Sequence, residues 1–222
     1  MHLGGSAAQA RRWSIEYRER LVREDVATLE NVRNLGAIEL LILRLPDLVG
    51  SPLSVNALRE DLQMNHETVS RWLLILERLY AIFRVPPFGA PRIRAVKKER
   101  KHYHFDWSLV REESYRFENM VACHLLKWVD FQRDTEGRVL ELRFFRYVDG
   151  REVDFVVVEG RTPIMMVVCK LRDQELAAPL RYLSDRFPSV PAYQVAAFGT
   201  KDVEVSKRIR LLPARKFRSQ LA

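Results

Sequence analysis

Along the first third of the chain, apolar residues recur at intervals of three and four. Trp13, Tyr17, Leu21 and Val22 form one such series, with a strongly charged outer face over Trp13–Arg23. Residues 1–10, ahead of it, are small and polar and are expected to be loose. Residues 29–45, "LENVRNLGAIELLILRL", form a second helical series. Pro46 limits it, because proline has no N–H and its ring clashes with the preceding turn. Gly50-Ser51-Pro52 then punctuates the chain. Ser54 is placed to cap a short helix ending near Leu62, and Asn65 to cap a second over roughly His66–Leu79. Each side-chain oxygen can accept an N–H that the first helical turn leaves unpaired. In the second helix Val69, Trp72, Leu73, Leu76 and Leu79 make the inward stripe. His66, Glu67, Thr68, Ser70, Arg71 and Ile75 are predicted to face outward. Two helices joined by a tight Gln63-Met64-Asn65 turn are a helix-turn-helix pattern.

Beyond this point the period changes from helical to alternating and back. Ala81–Val85 and Lys101–Phe105 predict two strands, and a hairpin after the second helix is a wing. A helix starts near Tyr115, with Phe117, Val121, Leu125 and Trp128 on one face. Strands follow at Val139–Tyr147, Arg151–Val158 and Pro163–Lys170, with turns at Asp149-Gly150 and Glu159-Gly160-Arg161-Thr162. Glu175–Phe187 predicts a helix and Ala192–Phe198 a fourth strand. Ile209, Leu211 and Leu212 alternate with basic residues as a last edge strand. Two hairpins followed by one helical crossover predict a mixed sheet. The fold class expected is α+β: N-terminal helices and a winged helix-turn-helix in residues 1–105, then an α/β domain in residues 106–222, with the boundary at 106–114.

Composition narrows the class. The chain has 222 residues, 47% hydrophobic and 30% charged, which suits a folded domain with a sizeable core. No apolar run approaches the ~18 residues of a membrane span. The N-terminus has no apolar core of a secretory signal. Cys123 and Cys169 lack the spacing of a zinc site, and without an export signal they are expected to be reduced thiols. These features predict a cytoplasmic protein without a membrane partner. The net charge of +8 favours an anionic partner, DNA first.

The charge has a location. Residues 92–101, "RIRAVKKERK", put Arg92, Arg94, Lys97, Lys98, Arg100 and Lys101 on the wing. Basic side chains there can lie along a phosphate backbone and release counterions. Asn65, His66, Thr68, Ser70 and Arg71 at the start of the second helix suit phosphate contact or modest base reading, although Glu67 would repel phosphates. His102 and His104 share a strand face but lack an evident third metal ligand.

The second candidate lies in "REVDFVVVEGRTPIMMVVCK", residues 151–170. Charged residues inside a strand need a reason. By strand alternation Glu152, Asp154, Val156 and Val158 share one face. A turn centred on Arg161 sets Asp154 opposite Val168 and Glu152 opposite Lys170, so Glu152 and Lys170 can pair across the strands. A metal-dependent phosphodiesterase needs converging carboxylates and benefits from a lysine. Asp154, Lys170 and, from the helix, Glu118 fit that need. The acid two residues before the lysine is missing, because Val168 stands there, and the intervening Cys169 is a poor Mg²⁺ ligand. No cofactor is expected, and Mg²⁺ enters only with a nuclease, held by Asp154 and Glu118 with Glu152 in place of the missing acid.

The chain resembles the C-terminal region of prokaryotic AAA-type P-loop ATPases, a region of unknown function. The resemblance rests on "REDVATLENVRNL", on "GSPLSVNALREDLQMNHETVSRWLLILERLYAIFRVPPF", on K-x-Y-x-x-D (Lys101, Tyr103, Asp106), on "FEN" (Phe117–Asn119) and on "EVDFV". It implies a winged helix followed by a restriction-endonuclease-like PD-(D/E)XK domain. In full-length relatives an ATPase module precedes both. No G-x-x-x-x-G-K-[ST] occurs here, so ATP binding is not implied, and the resemblance suggests a split or truncated member. Three functions stay open: a non-catalytic DNA-binding or regulatory module, an atypical metal-dependent nuclease, and an interaction module docking an ATPase chain or a second copy of itself.

Overall fold

The computed structural model describes residues 6–20, 35–89, 99–147 and 149–221. The first helix, α1, spans Ala7–Arg20 and so begins inside the segment expected to be loose. The reason is local. The Gln9 amide donates to Ser6 Oγ and the Ser6 amide to Gln9 Oε1, a reciprocal pairing that satisfies the first turn. Helix α2 spans Leu35–Arg44, and the predicted residues 29–34 before it lie outside the described residues. The two capped helices follow as expected: α3, Val55–Asp61, with Ser54 Oγ accepting from Ala57 N, and α4, His66–Arg78, with Asn65 Oδ1 accepting from Thr68 N at 2.7 Å. Strands β1 (Pro52–Leu53), β2 (Ile82–Val85) and β3 (Arg100–His104) form an antiparallel sheet in the order β1-β3-β2. The two-residue β1 escaped sequence reading because it is too short to show alternation. Ile75, predicted to face outward, is buried against the α2–α4 core. At that point the helix is enclosed on more than one stripe, and Leu74 is the exposed apolar residue instead.

The second half is a three-layer arrangement. Helix α5, Glu113–Glu136, packs on one face of a six-stranded sheet, and α6, Ala178–Arg186, on the other. Gly137, at φ +67, ends α5 in the left-handed conformation that costs glycine least. The strands are β4 (Leu140–Arg146), β5 (Glu152–Glu159), β6 (Thr162–Lys170), β7 (Ala192–Ala196), β8 (Val203–Ser206) and β9 (Ile209–Pro213). Their order is β4-β5-β6-β7-β9-β8: antiparallel through β6, parallel from β6 to β7 to β9, and antiparallel again at β8. The mixed sheet agrees with expectation. The C-terminal strand does not, because β9 inserts beside β7 and the exposed β8 becomes the edge. A short helix α7, Ala214–Ser219, closes the described chain and buries Phe217.

The winged helix and the sheet share a core. Phe83, Val85 and Tyr103 of the small sheet are buried in the same cluster as Phe117, Val121 and Leu125 of α5 and Phe155 and Val157 of β5. The Tyr103 ring packs at a tilt against that of Phe155, with the centroids 5.5 Å apart. The back of the wing is therefore packed against the sheet domain, and this sets β3 beside the charged hairpin.

Candidate functional site: a carboxylate cleft held by a buried lysine

Strands β5 and β6 diverge where the charged residues sit. Their ladder runs from Glu159↔Thr162 to Phe155↔Val167, with an irregularity at Val157/Val158. The turn is the pair Gly160-Arg161 rather than one centred on Arg161, and the irregularity shifts the register so that Phe155 still faces Val167. Beyond it, Asp154 Oδ2 accepts the Cys169 backbone N–H at 2.7 Å, so a side chain takes the place of the next ladder bond. Strand β6 continues along β7 through Lys170↔Ala196. The gap is a cleft of about 560 Å³, bordered by Glu118, Glu152, Asp154, Lys170, Arg146 and Tyr115.

The face expected for Glu152, Asp154, Val156 and Val158 is broken at this point. Val153, Val156 and Val158 all lie in the core under α6, whereas Phe155 and Val157 lie in the core under α5. Simple alternation cannot place Val153 with Val156, so the strand switches faces between them. Glu152 is thereby turned toward α5 and β3.

Lys101 sits among these acids. It is 0% exposed and its Nζ donates to Glu118 Oε1 at 2.9 Å. The same ammonium is in contact with Glu152 Oε1 and lies 5.7 Å from the centre of the Phe144 ring. Tyr103, two residues along β3 and on the same strand face, donates its hydroxyl to Glu118 Oε1 at 2.7 Å. The adjacent Asn119 joins β3 differently. Its amide accepts from His104 N at 2.9 Å and donates to His104 O at 2.7 Å, pairing with the edge of β3 as a neighbouring strand would. The K-x-Y and FEN motifs are thus two sides of one joint. Sequence reading assigned Lys101 to phosphate contact; its burial and ion pairs remove it from that surface. The available signal was the i, i+2 spacing of Lys101 and Tyr103, which puts both on the face that α5 covers.

Glu152 does not pair with Lys170 as cross-strand register suggested. Its cationic partners among the described residues are Lys101 and, at 3.8 Å, Arg146. Lys170 is half-buried at the cleft wall. Burial works to lower the Lys101 pKa, but Glu118, Asp154 and Glu152 outweigh it and hold the ammonium above the ordinary lysine value. Burial raises the Asp154 pKa to about 7, with Glu118 adding to the rise and Lys101 and the Cys169 N–H opposing it. Burial, then Asp154 and Glu118, push the Cys169 thiol well above its usual range.

A divalent cation of the kind the nuclease resemblance implies does not fit this donor set. The position between Glu118 and Glu152 holds an ammonium, Val168 offers no oxygen, and Cys169 is a thiol that burial and the neighbouring acids keep protonated. Among the described residues, no group of three or more His, Cys, Asp or Glu side chains is arranged to hold a metal. His102 is likewise committed elsewhere. Its Nε2 donates to Leu45 O at 2.8 Å, and burial holds its pKa down to about 4, so the ring is neutral and ties β3 to the helical core.

The predicted DNA-contacting residues divide three ways. His66 and Arg71 are exposed on α4, with Ser70 half-buried beside His66 and 3.4 Å from its Nδ1. Asn65 is exposed, but its side-chain oxygen caps α4, and Thr68 is half-buried over that cap. Arg100 is half-buried at the base of the wing, and Arg92, Arg94, Lys97 and Lys98 lie outside the described residues. Arg78, at the other end of α4, is exposed and was not singled out by sequence.

Among the described residues no helix is long and apolar enough to cross a membrane. A search of curated proteins found no match. Residues 116–217 match a family described as a domain of unknown function, DUF4143. Residues 3–114, just over half of the chain, match another so described, DUF8612, and the chain belongs to that DUF8612 family.

Proposed function

We propose that this chain is a non-catalytic DNA-binding or regulatory module, comparable to the C-terminal part of an AAA-type ATPase. The observation that carries the reading is the division of labour across the winged helix. Helix α4 packs inward through Val69, Trp72, Leu73 and Leu76 and leaves His66, Arg71 and Arg78 exposed, in a chain of net charge +8. Behind it, β3 sends Lys101 into the acids that a nuclease would need for metal. Basic and polar groups on a helix of this kind suit phosphate contact and modest base reading in a major groove. Neutralised acids behind it suit a scaffold rather than hydrolysis.

Fluorescence anisotropy with a labelled duplex tests the reading. Affinity should fall steeply with rising salt. Arg71→Ala should weaken binding similarly across sequences and lower the salt slope by about one. No binding at low salt would sink the DNA half.

The nuclease reading keeps one observation in its favour: Glu118, Asp154 and Lys170 border the same cleft. Incubation of DNA with Mg²⁺ or Mn²⁺ decides it. Cleavage abolished by Asp154→Ala would establish a nuclease and overturn the non-catalytic reading. The resemblance also makes an ATPase chain the partner to seek. Co-purification of a P-loop protein would support docking, and a lone monomer in light scattering would count against it.

A further inference from the structure

We propose that the pocket between α5 and α7 binds a small organic anion: one carboxylate or phosphate group on an apolar body no larger than a benzene ring. This goes beyond the DNA-binding reading and does not depend on it. The pocket opens at the α5, β7 and α7 side of the core that the small sheet shares, on residues that the cleft does not use. Its volume is about 140 Å³, close to the ~150 Å³ of an engineered apolar cavity that accepts benzene. Met120 and Val121 of α5, Val195 of β7 and Phe217 of α7 supply apolar walls. Its polar groups are His124, Arg215 and Arg218. Every one of these is cationic or can become so.

The sequence explains the geometry. Met120 and His124 stand one helical turn apart on α5 and so share a face. On α7, Phe217 is buried against the Tyr193 ring at 5.4 Å, and Arg215 and Arg218 flank it. Lys127, one further turn along α5, extends the positive surface. The contrast with neighbouring cations is informative. Arg210 and Lys216 are both matched by Asp202, and Arg133 by Asp130 and Asp134. Among the described residues, Arg215, Arg218 and Lys127 have no carboxylate within 4.0 Å. Like charges gathered without a counter-ion repel one another, and an anion in the pocket relieves that repulsion. The repulsion has a signature: burial, then Arg218 and Lys127, hold the His124 pKa below its ordinary value. An apolar floor under a cationic rim selects for an anion that carries an apolar group. A bare anion leaves the floor hydrated, and a neutral ring leaves the charges unmatched.

The test is an NMR titration of the His124 ring, assigned with His124→Gln, against phenyl phosphate, benzoate, inorganic phosphate, benzyl alcohol and a DNA duplex. Phenyl phosphate or benzoate should raise the His124 pKa saturably, and inorganic phosphate should bind more weakly. Arg215→Gln and Arg218→Gln, both at exposed positions, should each weaken binding about tenfold, the scale of one charge-assisted hydrogen bond. The proposal is overturned if neither organic anion moves His124 saturably at millimolar concentration. It is also overturned if benzyl alcohol or inorganic phosphate does as well as they do, or if the duplex alone shifts the ring. DNA affinity is read separately through Arg71, so the two readings fail independently.

Discussion

Replacing Lys101 by methionine keeps the length of the side chain and removes its charge. Glu118 and Glu152 then lose the cation that touches both, and Asp154 loses a favourable charge. Removing one partner of a buried ion pair costs roughly 3–5 kcal/mol, because the remaining charge is left buried and uncompensated. For a chain of this size each kcal/mol moves Tm by about 2–4 °C. The expected fall is therefore roughly 6–20 °C in thermal unfolding followed by circular dichroism at neutral pH. The loss should shrink as the pH is lowered through about 7, because a protonated Asp154 no longer needs a cation. Adding Glu118→Gln to Lys101→Met should restore part of the loss, and a double-mutant cycle measures how much. A Lys101→Met protein within about 1 kcal/mol of the parent at neutral pH would refute the reasoning. So would a loss that does not change with pH. Either result would mean that the ammonium contributes little to holding the winged helix on the sheet.

Asp154 carries a second prediction, because its folded pKa is raised to about 7 above the ordinary carboxylate value. Its contribution to stability is fully present below the unfolded value near 4 and is lost as pH rises through about 7. Asp154→Asn, which can still accept from Cys169 N, should flatten urea-unfolding stability across that window; an unchanged slope would count against the shift. His102 has the opposite sign, with a folded pKa lowered to about 4, so its contribution is present above about 6.5 and is lost as pH falls through 4. His102→Phe should remove that acid-side loss while giving up the bond to Leu45 O, and the mid-acid branch of a pH–stability curve reads it. Gly50 holds φ +92, and a Cβ there would lie 2.3 Å from the Tyr115 ring. Gly50→Ala should destabilise by about 1–3 kcal/mol. Restored stability in Gly50→Ala/Tyr115→Ala would separate the clash from the backbone strain.

Much of the local structure was legible because its causes are local. Ser54 and Asn65 cap the helices they precede, and a cap depends only on residues three positions away. The two hairpins of the sheet follow from alternation and turn residues, and the absence of an acid at Val168 is a fact of the sequence alone. Ser6 and Gln9 show the limit of this legibility. The pair was visible, but small residues around it suggested a loose segment. Strand order at the C-terminus was not legible. β9 lies beside β7 through parallel pairing, which is set by what else covers the sheet edge and leaves no mark in the strand's own period.

By itself the sequence determined the helix-turn-helix, the mixed α+β class, the positive charge and the incomplete acid set of the hairpin. The tertiary structure alone decided what Lys101 does. A lysine in a basic stretch reads as a surface cation, and only the arrival of Glu118 from α5 and Glu152 from β5 makes its burial tolerable. The physical reason is that burial of a charge depends on partners brought by other elements. No periodicity along β3 can encode the distance from Lys101 to an acid on β5.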